Sequence, residues 1–227
     1  MRYRLLALPL LALITIGCGG DEKSAPAPLV PEATPTPVVT YDLKDYLIPS
    51  ATQTNKYSVT NYKNTNQGAY TLGKIESYDD SYTLLDSNST RMIRGSVDKY
   101  KYIVDSKNIV KEDFGTGSTI ESVERNVTIG KVLSDINGTK CTVSEYINSK
   151  VINTDTTYTD LLNKQCKSAT NNIPAGLSYY NETIVEDTLY AKSKGIVSIT
   201  KVTCNYTPDT NTSRCDKVET ILTGIEQ

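Results

Sequence analysis

The chain has no histidine in its 227 residues, and that absence narrows the chemistry it can carry. Histidine is the usual general base near neutral pH, so Ser-His-Asp and Cys-His mechanisms are excluded. Carboxylates remain as the main candidates: Asp79 with Asp80, Glu121 with Glu124, and Glu182 with Glu186 and Asp187. All three groups stand in polar, turn-like or amphipathic stretches, which reads as solvated surface. A glycosidase needs two carboxylates across a sugar cleft, and there is no tryptophan to stack the sugar. The oxygen-rich Asp79-Asp80-Ser81 and Asp86-Ser87-Asn88 suit calcium but do not match EF-hand spacing. Gly115-Thr116-Gly117 reads as a turn. The expectation is a protein that is not an enzyme and carries no cofactor or metal, with a carboxylate-based hydrolase as the remote alternative.

Sixteen tyrosines stand against one phenylalanine. Tyrosine has an apolar ring and a polar tip, so it suits half-buried strand faces as well as contact surfaces. The plain reading is cross-strand pairs at the edge of a core. The sharper one is that Tyr100, Tyr102, Tyr179 and Tyr180 line a groove for an apolar or glycan ligand.

The cysteines divide by position. Cys141, Cys166, Cys204 and Cys215 lie in the C-terminal half, and four cysteines allow three pairings. Strand-like runs 139 to 152 and 156 to 167 flank Asn153-Thr154, and a hairpin centred there sets Cys141 opposite Cys166. Thr207 to Asn211, with Pro208 and Asp209 in favoured turn positions, centres another that sets Cys204 opposite Cys215. Opposed residues of an antiparallel pair lie ~4.5 to 5.5 Å apart at Cα, within disulfide reach. The expected bridges are Cys141 to Cys166 and Cys204 to Cys215, each contributing roughly 3 kcal/mol in the chain-entropy model. Metal binding is the weaker reading, because there is no CxxC pair.

The elements that must position these residues are strands. From Lys56 onward Tyr, Thr, Val and Ile abound, residues suited to a pleated, half-buried surface. In Asp98 to Val104, Tyr100, Tyr102 and Val104 share one face while Lys99 and Lys101 occupy the other. Similar runs are 56 to 62, 69 to 77, 91 to 97, 141 to 147, 196 to 202 and 218 to 222. Turn signals separate them at Asn66-Gln67-Gly68, Asp79-Asp80, Asp86-Ser87-Asn88, Gly115 to Gly117, Asn137-Gly138 and Asn171 to Gly176. The pattern predicts an all-β antiparallel domain over 41–227 with minor helix, as a sandwich, a barrel or a curved half-barrel. Short helices stay open as an alternative at Ser118 to Arg125, Thr159 to Asn163 and Glu182 to Asp187.

The N-terminus has a basic start (Arg2, Arg4), an apolar run from Leu5 to Ile16 and small residues around Cys18, the layout of a signal peptide over 1–17. The run is too short for a helix to span a ~30 Å hydrocarbon core, which takes ~20 apolar residues. Thr15-Ile16-Gly17-Cys18 resembles the bacterial lipobox, with Thr15 where leucine is usual. The resemblance implies cleavage before Cys18 and acylation of that cysteine. Gly19 after it implies the outer membrane, facing the periplasm or the cell surface. Residues 19 to 40 hold five of the nine prolines and no aromatic residue. Proline favours extended polyproline II, so 18–40 reads as a disordered, lipidated tether. Removing 1 to 17 leaves 22 basic residues against 26 acidic ones, which argues against nucleic acid as partner.

The C-terminal half resembles a loose group of bacterial envelope lipoproteins and periplasmic β-domains of unassigned function. The matching residues are Asn137-Gly138 with Cys141, Tyr158 to Leu162 with Cys166, and Tyr190-Ala191-Lys192-Ser193-Lys194-Gly195-Ile196-Val197, Ser193 standing where glycine is usual. No functional residue carries over. The reading is a lipid-anchored envelope protein with a non-enzymatic binding or structural domain. Its partners are a membrane, reached through the lipid, and an apolar ligand or an envelope protein. A carrier of lipid or lipoprotein cargo is the alternative.

Overall fold

The computed structural model describes residues 37–64, 69–94, 98–175 and 178–227. The expectations for Cys18 and its lipid, the signal segment, most of the tether and the Asn66-Gln67-Gly68 turn lie outside these residues. So do Val97, the end of one expected strand, and Gly176, the end of an expected turn whose residues 171–175 instead lie in the strand Thr156–Ala175. Val38–Gln227 form one compact unit, and its secondary structure is almost all strand.

Chain order begins with β1 (Tyr41–Asp42) and a single-turn helix α1 (Lys44–Leu47). An antiparallel meander follows: β2 (Gln53–Asn64), β3 (Tyr70–Asp86), β4 (Ser89–Arg94), β5 (Asp98–Val104), β6 (Asn108–Asp113) and β7 (Thr119–Glu124). The short β8 (Asn126–Val127) pairs with β1. A second meander runs through β9 (Val132–Ile136), β10 (Thr139–Asn153), β11 (Thr156–Ala175), β12 (Ser178–Ala191), β13 (Gly195–Thr207) and β14 (Thr212–Glu226). β14 pairs with β2, which joins the two meanders into one twelve-stranded antiparallel sheet with β7 and β9 at its edges. The sheet curves until these edges meet, and the Lys131 ammonium lies 3.0 Å from Glu124 across the seam. The result is a nearly closed barrel, so of the three architectures left open by the sequence the sheet takes the curved, barrel-like one and not the sandwich.

The three segments left open to helix are strands: 119–124 is β7, while 159–163 and 182–187 lie inside β11 and β12. In 118–125 and 182–187 the acidic residues are spaced as on a helix face, but the backbone of all three segments is claimed by a ladder neighbour. Residues 182–187 pair on both sides, with β11 and β13. Asp79-Asp80 is likewise no turn and lies within β3. Asn137-Gly138 does turn the chain, both residues at positive φ (51° and 76°), as a two-residue hairpin loop requires.

Both expected disulfides form, but the first hairpin turns one residue later than expected, at Thr154-Asp155, and register shifts in β10 restore the pairing of its cysteines. Cys141 is in register with Cys166 and Cys204 with Cys215, with S–S distances of 2.08 and 2.01 Å.

Segment 41–49 fills one end of the curve. Asp42 accepts from the Lys44 amide at 3.0 Å, and α1 ends because Ile48, preceding Pro49, is extended (φ −120°), the conformation proline imposes on its predecessor. Leu43, Tyr46 and Ile48 are buried against Val104, Ile109, Val123, Val143, Leu162 and Tyr190. A second apolar cluster gathers Tyr57, Leu161, Leu189, Ala191, Val197 and Leu222.

Candidate functional site

The strands of the lumen place aliphatic and charged residues on the same face. On β4, Met92 and Arg94 alternate inward, and on β6 Ile109 and Lys111 do so. On β7 the pair is Glu121 and Val123, and on β11 Leu162 and Lys164. Register carries the polar set from strand to strand: Tyr102 stands opposite Lys111, and Lys111 opposite Glu121. From the other wall, Lys164 pairs with Thr188, two residues from Glu186, and Leu162 pairs with Tyr190. These walls enclose a cavity of about 230 Å³. Leu43 and Leu47 of the N-terminal plug form part of its surface, with Leu133, Val143, Ile196 and Ile199.

Charge in this cavity is internally matched. Asp80, 0 % exposed, receives Arg94 through two bonds, Nε to Oδ1 at 2.9 Å and Nη2 to Oδ2 at 2.8 Å. The carboxylate raises the Arg94 pKa, and burial opposes it. The Arg94 guanidinium also sits 5.1 Å from the Tyr78 ring centroid, a cation–π distance. Lys164 is held more firmly protonated than a free lysine. The interaction with Tyr190 is the largest cause, Glu121 and Glu186 add to it, and burial opposes. A lysine kept charged is a poor base or nucleophile. Burial pushes the Tyr82 and Tyr102 phenols up, leaving them neutral hydroxyls that donate as well as accept. Lys111 lies 3.9 Å from the Tyr100 ring centroid.

Next to the cavity a satisfied polar column descends β2. Gln53 Nε2 donates to Asn55 Oδ1 (2.6 Å), Asn55 Nδ2 to the Lys194 carbonyl (3.0 Å), and the Tyr57 hydroxyl to the Ile196 carbonyl (2.9 Å). It holds the turn between β12 and β13 against the sheet. Ser193 in that turn takes the left-handed conformation (φ 64°) usual for glycine, and its amide donates to the Asp45 carbonyl of the plug at 2.6 Å.

The four expected ligand-face tyrosines do not form one groove. Tyr102 lines the cavity and Tyr100 is its neighbour on β5, whereas Tyr179 and Tyr180 line a separate open groove with Asn205 and Arg214. Tyr180 is separated from Tyr190, the cavity residue on the same strand, by ~30 Å at ~3.3 Å per residue. Tyr179 is 56 % exposed.

The carboxylate groups also divide. Asp80, Glu121 and Glu186 turn inward, while Glu124 bridges to Lys131 and Asp187 accepts from Asn163 (3.2 Å) and Gln165 (2.8 Å). Of the calcium candidates, Asp80 is taken by Arg94, and Asp86 accepts from the Asn88 amide (2.7 Å) and the Ser89 hydroxyl (2.6 Å). Among the described residues no group of acidic or cysteine side chains is arranged to hold a metal ion, and no helix is long and apolar enough to cross a membrane.

Arg94, Lys111 and Lys164 were not singled out by the sequence as site residues, nor Glu121 and Glu186 as inward-facing. The signal that finds them is period two: each stands two positions from a residue buried in the lumen. No family model matches the chain, and no curated protein matches it significantly.

Proposed function

We propose that this chain is a lipid-anchored, non-enzymatic binding protein of the cell envelope, tethered through Cys18, whose curved sheet holds a small ligand. The observation that carries the binding role is the cavity of about 230 Å³, where aliphatic walls meet Lys164, Glu121, Glu186 and the tyrosine hydroxyls. Ligand sites combine an apolar lining with a few fixed polar groups, whereas a purely structural core avoids burying charge because desolvation costs several kcal/mol per ion. The anchor rests on the lipobox resemblance and the proline-rich 19–40.

Sheet curvature and a separate plug segment favour the carrier of acyl cargo as a second reading. The cavity volume weighs against it, since pockets for drug-sized ligands run ~300 to 1,000 Å³ and an acyl chain would have to displace the plug.

Native mass spectrometry of the protein purified from its own envelope tests the reading. A bound species of small mass that is lost on Leu162→Trp, which fills the cavity, is the expected result. An empty protein that also takes up nothing from a metabolite extract overturns the binding role. An acyl chain released on extraction replaces it with the carrier. For the anchor, Cys18→Ser should move the protein from the membrane to the soluble fraction with both disulfides intact.

A further inference from the structure

We infer that the cavity takes a small zwitterion with an apolar side chain, of the class of the aliphatic α-amino acids. The inference deepens the binding role proposed above and rests on it.

Three observations converge. The first is charge. Lys164 lies in the field of Glu121 and Glu186, Lys111 stands opposite Glu121 in register, and Asp80 is matched by Arg94. A ligand with a single charge would leave that charge uncompensated in a site already in balance, and a neutral ligand would leave the inward charges with nothing to recognise. A zwitterion adds no net charge and meets both signs, its carboxylate toward Lys164 and its ammonium toward Glu121 and Glu186. Charge-assisted hydrogen bonds of this kind are the strong ones, and the enclosed setting strengthens them further.

The second is the lining. Leu43, Leu47, Leu133, Val143, Leu162 and Ile196 surround the same space, so one end of the ligand is apolar. The third is size. A void of ~150 Å³ accepts benzene, and by that scale about 230 Å³ accommodates roughly nine non-hydrogen atoms, the size of leucine.

The experiment is calorimetric titration of the full chain carrying Cys18→Ser with three matched probes. These are L-leucine, 4-methylpentanoate, which lacks the amine, and 3-methylbutylamine, which lacks the carboxylate. Leucine should saturate one site, and each truncated analogue should bind roughly tenfold to a hundredfold more weakly for the loss of one charge-assisted contact. Lys164→Met should weaken leucine by a similar factor and leave 3-methylbutylamine unchanged. Glu186→Gln should weaken leucine and leave 4-methylpentanoate unchanged, and it serves alone if near-ultraviolet circular dichroism shows Lys164→Met misfolded. Analogues that bind as tightly as leucine overturn the zwitterion. So does a protein that ignores leucine yet carries an endogenous small molecule by native mass spectrometry, and in that case the binding role stands. A protein empty in both experiments loses both.

Discussion

Strands β4 to β7 run six or seven residues each and carry no cysteine, whereas β10 to β14 run from thirteen to twenty and carry both disulfides. The short strands wrap the plug and the cavity, and their inward residues are buried in the lumen. The long strands outrun it: among the described residues no member of either apolar cluster comes from 163–188 or 198–221. Cys204–Cys215 closes the β13–β14 hairpin in that overshoot, where apolar burial cannot hold it, whereas Cys141, itself buried, joins β10 to β11 beside the core. Where strands are short, burial suffices and even accommodates a buried ion pair. The two regions meet the cost of chain order by different means.

The sharpest way to break this contrast is at Arg94. Arg94→Met leaves Asp80 a buried charge without its partner and should cost about 3 to 5 kcal/mol, measured by urea unfolding. Adding Asp80→Asn should recover part of the loss. A cost below that of losing a disulfide would show that the short-strand region does not depend on the pair. Replacing Cys204 and Cys215 by serine should cost about 2 to 4 kcal/mol. Hydrogen exchange should then rise over 201–218 and stay unchanged over 89–113, and exchange that spreads to β4 would erase the distinction.

The plug provides a pH test. Arg125 Nε and Nη2 donate to Asp42, the shorter bond being 2.6 Å. Burial alone would raise the Asp42 pKa, but the Arg125 hydrogen bonds, the Lys44 amide and the charges of both residues hold it below the ordinary 3.8. A depressed carboxylate pKa contributes stability that is complete above the ordinary value and is lost as pH falls through the folded one. Asp42→Asn should therefore cost about 1 kcal/mol at pH 7. In acid titrations of unfolding, that difference from the parent should shrink below pH 3.8. A difference that holds constant to pH 2 would remove the ion pair from the account. The smallest effect is expected from Ser193→Gly, which relieves a left-handed serine and should stabilise by up to about 1 kcal/mol. A loss of stability instead would mean that the Ser193 side chain, rather than its backbone, secures the turn against the plug.

How much of this was legible from sequence follows the same division. Hairpins could be read where turn and pairing are local. Pro208 to Asn211 sets the register that brings Cys204 to Cys215, whereas Cys141 meets Cys166 through a turn at Thr154-Asp155 and register shifts in β10 that have no local signature in the sequence. The cavity could not be read that way. Glu121 and Lys164 sit on β7 and β11, strands that approach only when the sheet curves, and curvature leaves no local signature in composition. Asp80 looked like half of a turn because its reason for lying in a strand, Arg94, stands on the neighbouring strand. The acidic runs at 118–125 and 182–187 suggested helices because helical spacing of charges costs nothing in a strand, where only alternate residues need be apolar. Tyr100 and Tyr179 have the same chemistry and different fates, since one lies on a strand enclosed by the curve and the other on a strand that overshoots it.

The pairing of β14 with β2 carries a consequence for how the molecule is made. The last strand of the sheet in chain order lies at its centre, with Leu222 opposite Tyr57 and Glu226 opposite Thr54. Until it arrives, the β2–β7 and β9–β13 meanders share no ladder, and each presents an open edge to any other strand nearby. Contacts this distant in sequence slow folding. A ribosome or an export channel delivering this chain from its N-terminus therefore releases two half-sheets that must be kept apart from other chains until the strand that unites them emerges.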